Sequence, residues 1–67
     1  IKVMETKISL VIQSMLNDAM IEVNHPMLME EAQERLRFVK YLIHYYPNTN
    51  KKINVDVVYN QWRINLT

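Results

Sequence analysis

The sequence predicts a small all-α fold, in which two long antiparallel amphipathic helices are followed by a shorter C-terminal helix. Three observations predict this class. Apolar residues recur at spacings of three and four over two long stretches. The chain has no glycine, the residue that most easily supplies the positive φ angles of turn-rich β folds. Two prolines divide the 67 residues into three segments, so we expect a single small domain over residues 1–67.

The first helix is predicted from an apolar stripe that begins at Ile1 and ends near Val23. Its members are Ile1, Met4, Ile8, Val11, Met15 and Leu16, widened by Ile12, Ala19 and Val23. We expect the helix to end at Glu22 or Val23, because Asn24 tolerates a left-handed backbone and Pro26 disfavours continuation.

The second helix has the most regular pattern in the chain, a strict alternation of three and four residues. The pattern is formed by Met29, Ala32, Leu36, Val39, Ile43 and Tyr46. A flanking stripe is formed by Phe38, Leu42 and Tyr45. Acidic residues precede basic ones, in agreement with the helix dipole, and Glu31 is spaced to pair with Arg35. Pro47 is expected to end this helix.

The third element, residues 53–66, has two competing patterns. A strand-like alternation is formed by Ile53, Val55 and Val57. Helical spacing extends further, over Val55, Val58, Tyr59, Trp62 and Leu66. We favour a helix, with Asn54 as its N-cap and Asp56 near the positive end of its dipole. The alternative is a C-terminal strand, which would pair between two protomers because the rest of the chain offers it no partner.

Composition and charge argue against several classes of protein. A net charge of +1 gives no strong positive field for non-specific binding to nucleic acid. The longest apolar runs, such as residues 10–12, are far shorter than the roughly 20 residues that span a bilayer, so no membrane partner is expected. The absence of cysteine leads us to expect an intracellular, cytoplasmic protein.

The sequence predicts no catalytic site, cofactor or metal. It has neither cysteine nor a glycine-rich phosphate loop, and His25 and His44 stand alone without an acidic residue to orient them. Glu30 and Glu34 are spaced to share a helix face, but no histidine accompanies them there. We interpret them as a solvated surface rather than metal ligands.

A chain of this size without disulfides or metal can gain stability by burying apolar surface against a partner. We therefore predict a non-catalytic regulatory module that acts by homodimerisation, the mode we favour, or by docking an apolar helix face on a larger protein. Tyrosine suits half-hydrated interfaces, and aromatic residues dominate binding energy. The predicted protein-binding residues are Phe38, Tyr41, Leu42, Tyr45 and Trp62.

Two alternatives stay open at this stage. If the third element is a helix after a turn, the chain resembles a dimeric helix-turn-helix DNA-binding regulator. The candidate nucleic-acid-binding residues would then be Lys51, Lys52, Asn60, Gln61 and Arg63. The second alternative is a fragment of a longer protein whose activity lies elsewhere, since the chain begins at Ile1 rather than at methionine.

A Tyr-Pro pair followed by a tryptophan-containing helix is present in residues 42–66, and its distinctive positions are Tyr46, Pro47, Trp62 and Leu66. This arrangement resembles small phage replication accessory proteins that act on helicases. In that family the corresponding segment lies at the other end of the chain. The resemblance implies that this chain acts by contact with another protein.

Overall fold

The computed structural model describes the backbone of residues 4–66 and the side chains of residues 4–65, and this part of the chain is mainly helical. In chain order the elements are strand β1 (Thr6–Lys7), helix α1 (Ile8–Glu22), a 3₁₀ turn (Pro26–Leu28), helix α2 (Met29–Tyr45), strand β2 (Lys52–Ile53) and helix α3 (Val55–Leu66). The predicted helical class and the number of α-helices are confirmed.

Helix α1 begins at Ile8, later than the sequence predicts. Met4 lies outside the helix, and Ile1 lies outside the described residues. The reason is that β1 pairs antiparallel with β2, which holds the preceding backbone extended. The amide of Ile8 donates to the Lys51 carbonyl at 2.9 Å, and that of Ser9 donates to the Thr49 carbonyl at 3.0 Å. Both amides lie in the first turn of α1, where an N–H group has no acceptor within the helix, and these two bonds supply one.

The third element is a helix, and the C-terminal strand alternative is wrong for residues 55–66. The Asn54 side-chain oxygen accepts a hydrogen bond from the Val57 amide at 3.3 Å, which confirms the predicted N-cap. The strand-like signal has a local origin, because Ile53 belongs to β2. Its partner is Thr6 of the same chain rather than a second protomer.

The connection between α1 and α2 reverses the chain without a left-handed residue. No residue among those described has a positive φ, so the expected left-handed Asn24 is wrong. The chain instead continues in tightening turns, in which the Asn24 amide donates to the Ile21 carbonyl and the His25 amide to the Glu22 carbonyl. The Asn24 side chain caps the helix end by donating to the Met20 carbonyl at 3.3 Å.

The core lies where α3 packs on the α1 and α2 pair. Its buried members are Ile8, Val11, Phe38, Leu42, Ile53, Val58 and Trp62. Phe38 is at its centre, with the rings of Tyr59 and Trp62 at centroid distances of 5.1 and 5.3 Å. The start of α1 thus packs near the second half of α2.

An ion pair across the helices replaces the one predicted within α2. Arg35 does not pair with Glu31; its guanidinium binds the Glu22 carboxylate and lies 3.7 Å from that of Asp18. Arg35 also donates to the Met15 sulfur at 3.8 Å. Because α1 brings two carboxylates to Arg35, the interhelical pair forms instead and joins the second half of α1 to α2.

Candidate protein-binding surface

Helix α3 covers one face of the layer formed by α1 and α2. Its Trp62 ring lies 5.3 Å from that of Phe38 and 6.4 Å from that of Tyr41. The Arg63 Nη1 lies 3.1 Å from the Glu34 Oε1. The side of α2 that carries positions 34, 38 and 41 therefore faces α3.

The opposite side of α2 is apolar and exposed. Each residue turns a helix by about 100°, so Leu36 lies about 160° around the helix from Phe38. Met29, Leu36 and Ile43 follow one another at spacings of seven and form a line along α2. Their exposed fractions are 40%, 44% and 56%.

Helix α1 adds a second apolar row to this surface. Asp18 marks the α3 side of α1, because its partner Arg35 lines a depression together with residues of α3. Leu16 lies two residues before Asp18, again about 160° away. With Met20 and Val23 it forms a row whose exposed fractions are 39%, 69% and 42%.

The two rows lie on the same face of the layer, because α1 and α2 are antiparallel neighbours and both rows point away from α3. We refer to this surface as the bare face; it consists of Leu16, Met20, Val23, Met29, Leu36 and Ile43. An apolar depression of about 490 Å³, lined by residues 25–28, lies at the joint between the two rows. Exposed apolar side chains that share one face of a protein are a candidate binding surface.

The residues of the most regular apolar stripe, that of α2, thus lie in two different environments. Ala32 and Val39 are buried between α1 and α2. Met29, Leu36 and Ile43 belong to the bare face. The sequence pattern identified this stripe but not which of its residues are exposed. The feature that could have indicated exposure is the width of the apolar surface, since α2 has apolar residues on more than one side.

The structure separates the five predicted protein-binding residues. Phe38 and Leu42 are fully buried and Trp62 is 6% exposed, so these three are core residues of the folded chain. Tyr41 is half-buried and Tyr45 is 63% exposed, and their ring centroids are 4.7 Å apart. Only these two tyrosines remain accessible to a partner, on the edge of α2 next to α3 rather than on the bare face.

Burial also affects the acidity of two tyrosines around this core. Burial raises the pKa of Tyr41, with smaller contributions from Tyr46 and Tyr45. Burial likewise raises the pKa of Tyr59, and a hydrogen bond with Glu34 raises it further, while Arg63 lowers it. Both phenols therefore stay protonated to a higher pH than a solvent-exposed tyrosine does.

The five candidate nucleic-acid-binding residues do not form one free basic surface. Arg63 pairs with Glu34 and lies over the Tyr59 ring, 5.9 Å from its centroid. Lys51 lies 5.7 Å from the centroid of the Tyr46 ring. Lys52 is an exposed residue of β2. The remaining two, Asn60 and Gln61, are exposed on α3.

The histidine and acidic side chains of the described residues do not gather into a metal site. Within residues 4–66 no group of three or more histidine, cysteine, aspartate or glutamate side chains could hold a metal ion. His44 contacts the Tyr45 ring at a centroid distance of 4.8 Å, and His25 precedes the 3₁₀ turn without a side-chain capping bond. Over the same residues, none of the helices is both long and apolar enough to span a bilayer.

Comparison with known proteins found no matching family model, no similar curated protein and no similar solved structure. The resemblance of residues 42–66 to phage replication accessory proteins gains no support from these comparisons. The chain's own surfaces are therefore the features that bear on its function.

Proposed function

We propose that this chain is a small, non-catalytic interaction module that acts by burying the bare face against a protein surface, either a second copy of itself or a larger protein. The observation that carries the proposal is the double row of exposed apolar side chains opposite α3. Its regulatory effect would come from occupying a partner's surface rather than from a chemical reaction.

The size of the bare face supports this function. Full burial of a Val, Leu, Ile or Met side chain is worth about 1.5–3 kcal/mol, and these six are on average about half-exposed. Covering all six would therefore contribute about 4–9 kcal/mol before the entropy of association is subtracted. Micromolar binding requires about 8 kcal/mol net, so the partner's own apolar side chains and polar contacts at the rim would have to supply the rest.

A crosslinking experiment tests the function without assuming the partner. Replacement of Leu36 by the photoreactive residue p-benzoylphenylalanine places a crosslinker within the bare face. The same replacement at Val57, which is 50% exposed on α3, provides the matched control. We expect irradiation of producing cells to give a discrete adduct, with a second copy or another protein, from position 36 and not from position 57. Equal adducts from both positions, or none from position 36, would contradict the proposal.

A further inference from the structure

We propose that Met20, Met27 and Met29 form an oxidation site at one end of the bare face, and that their conversion to sulfoxides by a hydroperoxide weakens docking there. The effect on docking rests on the proposed function, whereas the oxidation itself does not. Two observations carry the inference: the exposure of these thioethers and their position at the connection between α1 and α2. We refer to the three as the joint methionines.

The joint methionines are exposed, although methionine is one of the side chains most often buried in proteins. Met27 is 92% exposed, more than any other large apolar side chain of the described residues, and Met20 and Met29 are exposed members of the bare face. Met15 differs from all three, because it packs against the core and its sulfur accepts a hydrogen bond from Arg35. A peroxide can therefore reach the joint methionines more easily than it reaches Met15.

The three thioethers lie at the same end of the helical layer. Met20 is in the last turn of α1, Met27 is in the 3₁₀ turn and Met29 is the first residue of α2. Met27 also lines the apolar depression at the joint between the two rows of the bare face. The other exposed methionine, Met4, precedes β1 at the opposite end of α1, a helix of 15 residues that is about 22 Å long. Met4 therefore provides an internal comparison.

The oxidation needs only a hydroperoxide such as hydrogen peroxide. A lone pair of the thioether sulfur attacks one peroxide oxygen, the O–O bond breaks, and the second oxygen leaves as hydroxide. The hydroxide takes up the proton of the new S–OH group and becomes water, which leaves the sulfoxide. The sulfur loses two electrons and the peroxide gains two, so one molecule of peroxide converts one methionine.

Sulfoxide formation changes the chemistry of the bare face. A sulfoxide is polar and its oxygen accepts hydrogen bonds, whereas a thioether is apolar. Two of the six side chains of the bare face, Met20 and Met29, change in this way, and Met27 changes beside them. A partner that covers them then removes water from the sulfoxides without replacing its hydrogen bonds. We expect the partner's affinity to fall at least about tenfold, because buried polar groups without hydrogen bonds are costly.

The fold itself should survive this oxidation. None of the joint methionines belongs to the core around Phe38 and Trp62, and Met15, which does contact that core, is partly buried. Oxidation therefore alters the surface that binds and not the packing that supports it. The change is also reversible, because methionine sulfoxide reductases restore the thioether.

Peroxide titration of the full chain, followed by peptide mass spectrometry, measures the oxidation rate of each methionine. We expect Met20 and Met27 to be oxidised at least about tenfold faster than Met15, because access of the peroxide limits the reaction. Met4 should react as fast as they do. Rates at Met20 and Met27 no faster than the rate at Met15 would overturn the oxidation site.

Matched leucine variants test the effect on binding. The triple variant Met20→Leu, Met27→Leu and Met29→Leu conserves apolar volume but cannot be oxidised at the joint, and Met4→Leu is its control. Each variant and the parent carry p-benzoylphenylalanine at position 36, and the producing cells receive hydrogen peroxide before irradiation. We expect peroxide to reduce the adduct from position 36 in the parent and in Met4→Leu, and to leave the adduct of the triple variant unchanged.

The outcomes separate this inference from the proposed function. Equal loss of the adduct in the parent and the triple variant, or no loss in either, overturns the oxidative effect and leaves the docking face. Trp62 emission that moves to long wavelength on oxidation would mean that the fold is lost, which also overturns the inference. Absence of any adduct from position 36 in untreated cells contradicts the proposed function and the effect on docking, whereas the measured oxidation rates decide the oxidation site independently.

Discussion

Leu36 and Phe38 lie two residues apart on α2 and point to opposite faces of the helical layer. Phe38 is fully buried against the rings of Tyr59 and Trp62, whereas Leu36 is 44% exposed among the apolar side chains of the bare face. One helix therefore contributes to the core on one side and leaves an apolar surface uncovered on the other. The two positions differ in what they are expected to do for stability and for binding.

Truncation of Phe38 should be far more damaging than truncation of Leu36. Phe38→Ala removes a ring that contacts two aromatic residues and leaves a cavity, so we expect a loss of about 3–5 kcal/mol in the free energy of unfolding. Leu36→Ala, at a half-exposed position, should lose no more than about 1 kcal/mol. Urea denaturation followed by circular dichroism measures both. Similar losses for the two variants would contradict the assignment of opposite faces.

Periodicity in the sequence predicted which segments are helical, because spacings of three and four are a local property of the chain. It could not predict how much of an apolar helix the rest of the chain covers. The stripe of α2 includes both Ala32, which is buried, and Ile43, which is 56% exposed, and the pattern treats them alike. The difference arises from tertiary packing: Ala32 is buried between α1 and α2, whereas Ile43 lies on the face of the layer that α3 leaves uncovered.

The short sheet also could not be predicted from the sequence. Thr6–Lys7 and Lys52–Ile53 are only two residues each, too short to show an alternation, and they are far apart in the chain. Their pairing determines where α1 begins, so the apolar pattern before Ile8 predicted a longer helix than exists. The N-cap at Asn54 was predictable, since it depends only on residues close to it in the sequence.

Removal of the Asn54 cap should destabilise the protein. Asn54→Ala deletes the oxygen that accepts the Val57 amide, and we expect a loss of about 1 kcal/mol in the free energy of unfolding. Asn60→Ala is the control, because Asn60 is exposed within α3 and alanine has the higher helix propensity. Its thermal midpoint should stay level or rise while that of Asn54→Ala falls. A fall in both would count against the capping role.

Alkaline pH should unfold the protein partly through Tyr59. Its pKa is raised above the usual 10.0, chiefly by burial, so the folded state holds the proton more tightly than the unfolded state. The resulting stability is complete below the unfolded pKa of about 10 and is lost as pH rises through the folded pKa. Urea midpoints measured above that pH should decline less steeply for Tyr59→Phe than for the parent. An unchanged slope would show that Tyr59 does not contribute to this linkage.

We expect no sequence-specific DNA binding, because the Arg63 guanidinium forms an ion pair with Glu34. A gel-shift assay of the parent chain at low salt, against a random-sequence duplex library, tests this expectation. If a shift is found, Arg63→Ala combined with Lys51→Ala and Lys52→Ala provides the comparison. A shift that this triple variant abolishes, with a salt dependence that also flattens, would restore the DNA-binding alternative.

The fluorescence of Trp62 should report on the core and should not change when a ligand binds at the bare face. It is 6% exposed and lies between α3 and α2, so its emission should be blue-shifted and protected from acrylamide quenching. Occupation of the bare face by a partner should leave both properties unchanged, because that face is on the other side of the layer. Emission at long wavelength with ready quenching would instead mean that α3 is not packed on the layer and that Trp62 itself is an exposed binding residue.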